Sequence, residues 1–416
     1  MKFFPPILSC CLAASVTCAG DTGDPLDRLG EALTFSTRDA KVRVRLSGML
    51  DLEQYVVDDP APALLETDEN TLFCPRLRLF LDSQLGTHWY VFAQARVDRG
   101  FDPGTGDVEL RLDEYAVRFT PGSTGALNLQ LGKFATVVGN WVPRHDSWAN
   151  PFVTAPLPYE NVTGIFDGAA AVSPALLLKW SEIGQGPFPY GEYPAQMRVP
   201  VIWGPSYTTG AAIIGSAGRV DYAAEVKNAS LSSRPASWAP DDTQWEHPTF
   251  SGRVGYRPDP AWNFGFSASS GTYLTASARP TLAPGADLDD YRQIVLAQDV
   301  SYAWHHVQLW MEIFETRFTN PRVGDADTVA YYVETRFKFT PQFSGAIRWN
   351  QQLFGTITTG AGDEVRWGRD TWRLDVAPAY RFTPHLQGKL QYSYQHHPMG
   401  AEQDAQLFAA QLVLRF

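Results

Sequence analysis

Cysteine is scarce in this chain: four in 416 residues, three of them (Cys10, Cys11 and Cys18) before residue 20. With that segment set aside Cys74 stands alone, which excludes a disulfide framework. Positive charge is also short, with 34 Lys and Arg against 45 Asp and Glu, a net charge of −11. A nucleic-acid partner would ask for the opposite balance. After the N-terminus no run of 18 apolar residues occurs, so no transmembrane helix is expected. Catalytic signatures are missing too: there is no G-x-S-x-G, H-E-x-x-H, P-loop, C-x-x-C or Rossmann glycine pattern. The histidine pairs His305-His306 and His396-His397 point apart in extended backbone and make no metal site by themselves. The chain reads as a non-enzyme without a cofactor.

The first 20 residues, MKFFPPILSCCLAASVTCAG, have the build of an export signal. Lys2 starts it, Phe3 to Val16 form the apolar middle, and Thr17-Cys18-Ala19 gives a small-residue cleavage site. Residues 21–40 read as a short periplasmic lead, with Leu26, Leu29 and Leu33 at helical spacing. An exported protein of this size without disulfides needs another source of stability, and a closed sheet supplies one.

From residue 41 onward the chain alternates with period two. In KVRVRLSGMLDLEQYV, Val42, Val44, Leu46, Leu50 and Leu52 share one face and Lys41, Arg43, Arg45, Asp51 and Glu53 the other. PRLRLFLDSQL, WNFGFSAS and TVAYYVETRFKF repeat the pattern, each longer than the roughly 5–6 residues of an ordinary strand. Short connections fall at 86–88, 120–122, 173–175, 217–218, 258–260, 304–306, 340–342 and 383–385. Three of them read aromatic-Thr-Pro: Phe119-Thr120-Pro121, Phe339-Thr340-Pro341 and Phe382-Thr383-Pro384. Longer polar loops lie between, at 57–71, 135–164, 229–247, 272–290, 355–369 and 396–405. Those loops collect the acids, whereas the short connections hold only Asp259.

Every strand thus pairs an apolar face with a charged one, and the turns sort into a short set and a long set. This is the signature of an all-β transmembrane antiparallel β-barrel, with short periplasmic turns and long extracellular loops, in a bacterial cell outer membrane. The pattern counts to about 18 strands over 41–416, or 16 if the least regular stretch, 165–218, holds one hairpin fewer. In the last strand, AQLFAAQLVLRF, Phe408, Ala410, Leu412, Leu414 and Phe416 share a face. That strand is expected to close the barrel, and Phe416 to be read by the barrel-assembly machinery. Membrane lipid and lipopolysaccharide would surround it.

Residues 70–140 carry a more specific pattern. Arg76 and Arg78 open a strand, Trp89 follows a short turn, and Asp113-Glu114-Tyr115 precedes an apolar strand ending in Gly132-Lys133-Phe134. This stretch resembles the start of the phosphate-selective porin O/P family, which implies a barrel and a channel. The segment ATVVGNWVPRHDSWANPF that follows departs from the family's Lys and Pro-Phe-Gly-like continuation. The resemblance therefore implies fold and channel role, and not phosphate binding.

The expected function is passive diffusion of small hydrophilic solutes or ions, anions among them. The loop 135–164 is expected to fold inward as a constriction, with Trp141, Arg144, His145 and Asp146 at its narrowest part. Arg43, Arg45, Arg76, Arg78, Arg111, Arg118, Arg253 and Arg336, with Arg348 and Arg373, are expected to line the pore, either as an anion track or neutralised by neighbouring acids. An outer-membrane hydrolase and a plugged structural or adhesive barrel are the alternatives. A homotrimer is expected by analogy with porins.

Overall fold

The period-two pattern closes into a cylinder in the computed structural model of the chain, which describes residues 24–58, 70–98, 108–123, 125–182, 198–235, 245–397 and 404–416. The first strands are β1 (Val42–Val57), β2 (Thr71–Leu85), β3 (Trp89–Asp98), β4 (Glu109–Phe119), β5 (Asn128–Phe134), β6 (Thr208–Ala217), β7 (Val220–Lys227) and β8 (Thr249–Tyr256). Then come β9 (Trp262–Thr272), β10 (Arg292–Trp304), β11 (Val307–Asn320), β12 (Gly324–Lys338), β13 (Phe343–Phe354), β14 (Thr371–Arg381), β15 (Leu386–His396) and β16 (Ala405–Arg415). Each pairs antiparallel with its chain neighbours, and β16 closes on β1 from Leu407–Val57 to Arg415–Met49. The barrel has 16 strands, the lower of the two counts open to the sequence.

The discrepancy from 18 lies where the pattern was least regular. Ser173-Pro174-Ala175, expected as a short turn, instead opens a helix over Pro174–Glu182, with the proline at its first position where no amide bond is lost. The runs Ala169-Ala170-Ala171 and Leu176-Leu177-Leu178 have no polar face to turn toward a lumen. They bury instead against Tyr273, Tyr291, Phe318 and Trp367 in an apolar cluster at the long-loop end. The lead segment forms α1 (Pro25–Ala32), capped by Asp24, whose carboxylate accepts from the Leu26 amide. Thr34–Ser36 then pairs with Arg43–Arg45 at the short-turn end. The expected export signal lies outside the described residues.

The two faces are inverted relative to a soluble protein. Leu79, Leu131, Phe250, Phe266, Ile347, Leu390 and Phe408 project outward and are exposed. Asp51, Glu53, Arg78, Glu312, Glu334, Arg348 and Asp375 are buried inside. No helix among the described residues is long and apolar enough to cross a membrane; the strands do it.

Two of the three aromatic-Thr-Pro turns share a local cause. Thr340 Oγ1 accepts from the Gln342 and Phe343 amides, and Thr383 Oγ1 accepts from His385 and Leu386. Each hydroxyl thereby holds the turn that the following proline starts. The aromatic before each threonine lies over a glycine of the next strand: Phe339 over Gly345 and Phe382 over Gly388. Phe416 covers Gly48 in the same way where β16 meets β1.

Candidate lumen site

Between β5 and β6 runs the segment 135–207, and its first half crosses the barrel interior. Thr136 donates to Glu225 on β7 (2.7 Å). The amides of Asn140 and Trp141 and the Tyr159 hydroxyl (2.6 Å) all donate to Glu312 on β11. Farther along, Arg348 on β13 donates to the Ala155 carbonyl (3.0 Å), and Arg373 on β14 pairs with Glu160 (2.5 Å). Lys389 on β15 donates to the Asn150 carbonyl (2.9 Å), and Ser147 donates to Asp51 on β1 (2.5 Å). The segment is fastened to strands on most of the circumference, and it meets the β2–β4 wall only at a few points, Arg78 donating to Ser147 and Glu114 accepting from the Ala135 amide, with open space between.

There a cavity of about 150 Å³ remains. Tyr55, Arg76, Arg78, Arg96, Arg111 and Asp113 form its wall, and Trp141, His145, Thr154, Glu160 and Tyr207 face them. The four arginines sit among acids. Asp98 takes Arg76 (2.9 Å), Arg111 (3.0 Å) and Arg96 (3.1 Å), Glu53 takes Arg76 (3.4 Å), and Asp51 takes Arg78 (2.9 Å). Asp113, 3.3 Å from Arg96, reaches this network through a bulge: the β3–β4 register shifts between Gln94 and Ala95 and leaves Asp113 unmatched. The shift lets Asp113 and the next residue, Glu114, both turn inward, where Glu114 accepts from the Ala135 amide (3.1 Å). The wall is consequently ion-paired rather than a bare cationic track. Pairs desolvated to this degree hold side-chain positions more than they add stability.

The expected site residues separate into groups. Trp141 and His145 line the cavity, and His145 Nε2 lies 2.6 Å from the Tyr207 hydroxyl. Arg144 does not: it turns to β12, pairs with Glu334 (2.6 Å) and stacks over Trp310 (4.3 Å). Asp146 spends its carboxylate on the Trp148 and Ala149 amides (2.8 and 2.9 Å), which makes it a turn former. Of the wall arginines, Arg76, Arg78 and Arg111 meet at the cavity. Arg253 pairs elsewhere with Asp221 and Asp299 (2.8 and 2.7 Å), and Arg348 with Asp375 (2.8 Å). Arg118 and Arg336 bond the amide oxygens of Gln130 and Gln308. Arg43 and Arg45 are exposed at the short-turn end beside α1. Arg96 went unmarked in the sequence, although Gln94-Ala95-Arg96-Val97-Asp98 alternates as clearly as its neighbours.

No sequence-family profile matches the chain, and no curated protein matches it by sequence. Solved structures do match in fold. The outer-membrane channel DcaP of Acinetobacter baumannii is similar at 10% identity, over 92% of this chain and 99% of that one, with a TM-score of 0.59. Salmonella typhi OmpF, solved in complex with daunomycin, is similar at 11% identity, over 92% and 100% of the two chains, TM-score 0.57. An anion-selective porin from Comamonas acidovorans is similar at 11% identity, over 90% and 100%, TM-score 0.54. At such identities the likeness is one of fold. The architecture is that of outer-membrane porin barrels.

Proposed function

We propose that this protein is a passive diffusion channel of the outer membrane for small hydrophilic solutes or ions, without bond chemistry. The observation that carries the reading is the charged, inward-facing wall of β1–β4 standing across a cavity from an inserted loop. Such an arrangement sorts solutes by size and charge at one narrow place. The motifs Asp113-Glu114-Tyr115 and Gly132-Lys133-Phe134 support kinship with the phosphate-selective porin O/P family. Assembly as a homotrimer is supported by one similar structure, OmpT of Vibrio cholerae in a trimer form (9% identity, over 90% and 100% of the two chains, TM-score 0.53).

Single-channel recording of the purified protein in planar bilayers tests the reading. Discrete conductance steps are expected. A plugged barrel is the second reading, favoured by the hydrogen bonds that tie the loop to β7, β11, β13, β14, β15 and β1. Normal insertion with no steps would establish it.

A further inference from the structure

Below the inserted loop, at the short-turn end of the lumen, lies a second cavity of about 70 Å³. Three cations border it: Arg336 and Lys338 at the end of β12, and Arg381 at the end of β14. Thr340, Ser344, Gln342 and Gln387 complete its polar lining, and Pro151 of the loop closes it from above. No carboxylate is among its lining residues. This sets it apart from the upper cavity, where each arginine meets an acid.

Two of the cations are held by neutral groups, and Lys338 is exposed. Arg336 donates to Gln308 Oε1 (2.8 Å) and lies 5.7 Å from the Trp310 ring. Arg381 lies over Trp148 of the loop at 5.2 Å, and Arg415 stacks on the same ring at 3.9 Å. Among the described residues none of Arg336, Lys338 and Arg381 has a carboxylate within salt-bridge distance. The nearest acid on that face of β12 is Glu334, which already carries Arg144 (2.6 Å) and Arg348 (3.5 Å). Asp146, on the loop above, is bound to two backbone amides.

Three like charges around one small cavity repel each other, and a folded protein keeps such a set together at a cost. An anion converts that cost into charge-assisted hydrogen bonds. The lining offers two planar guanidinium forks, an ammonium, two hydroxyls and two amide groups, a donor-rich set suited to oxygen acceptors. We propose that this pocket binds a small oxyanion at the periplasmic side of the lumen. It gives the channel proposed above, on which its biological role rests, an anion station below the constriction. Binding itself does not require conduction.

Sulfate is a suitable probe, because its charge does not change across ordinary pH. Calorimetry on the whole folded protein in detergent should show one saturable sulfate site per chain. The combined variant Arg336→Gln, Lys338→Gln, Arg381→Gln should weaken it by about tenfold or more, since each lost charge-assisted bond is of the strong kind. Lys338→Gln alone, at an exposed side chain, should weaken it less. Arg317→Gln, which removes an exposed cation at the opposite end, should leave it unchanged. Retarded mobility on heating before electrophoresis confirms that each variant is folded. In bilayers, sulfate should reduce chloride current at lower concentration from the short-turn side than from the long-loop side. No saturable heat from the unaltered protein, or equal binding by the triple variant, overturns the proposal. Sulfate binding in a protein that never conducts would remove the channel reading and leave the site standing.

Discussion

Gly132 shows how narrowly one residue can be constrained. Its φ is +140°, and a Cβ there would run into the Tyr115 carbonyl and Ala116 of the adjacent strand. Lys133 beside it is buried and donates to the Leu112 carbonyl (2.8 Å), and Phe134 lies 4.2 Å under Lys227. Gly132→Ala should therefore cost about 1–3 kcal/mol for the dihedral alone, with the clash added. A lower urea midpoint for the heat-modifiable gel shift would report it; an unchanged midpoint would mean that β4 and β5 give way freely. Arg144 carries a different lesson. Its charge was plain in the sequence, but the direction of a loop side chain has no period to read, so its partner Glu334 on β12 was invisible. Arg144→Gln should accordingly alter conductance by loosening the loop, and shift reversal potential in a salt gradient little. A selectivity change without a conductance change would put Arg144 back in the cavity.

The strands were legible because their signal is doubly determined: every second residue must face lipid, and every other must face water or an ion partner. Turns with proline and threonine were equally plain, and seven of the eight expected short connections are turns in the fold. What period two cannot show is an apolar segment that buries against other loops. Residues 165–182 are of that kind, which is how a hairpin was counted where a helix and an apolar cluster stand. The loop before them is tied down by side chains of many strands, and Glu312 holds three of its donors at once. In Glu312→Ala those groups lose their acceptor, at about 1–3 kcal/mol each where water cannot replace it. The expected result is a larger and noisier conductance with an unchanged gel shift. A conductance identical to the unaltered protein would show that the loop stays in place without this anchor, or that the current passes elsewhere.

Across the whole molecule, charge is sorted along the barrel axis. Asp58, Asp287, Asp289, Asp290, Asp325, Asp327, Asp363, Glu364 and Asp404 stand at the long-loop end. The Tyr394 hydroxyl holds the Asp404 carboxyl below its ordinary range, and the Thr358 hydroxyl does the same for Glu364. Those two acids therefore keep their negative charge in mildly acidic solution. At the other end Arg45, Arg336, Lys338, Arg381 and Arg415 ring the inner rim. A channel with a negative mouth and a positive mouth fills with ions at one voltage polarity and empties at the other, so its current should differ between equal and opposite voltages. The effect depends on how far each mouth's field extends. Screening acts over about 30 Å at 0.01 M salt and about 3 Å at 1 M. Uniformly oriented channels should consequently rectify at low salt and approach a linear current–voltage relation at 1 M. The variant lacking Arg336, Lys338 and Arg381 should rectify less at low salt and match the unaltered protein at high salt. Rectification that persists undiminished at 1 M would trace to the shape of the lumen or to a moving loop, because fixed charge at the mouths is screened there.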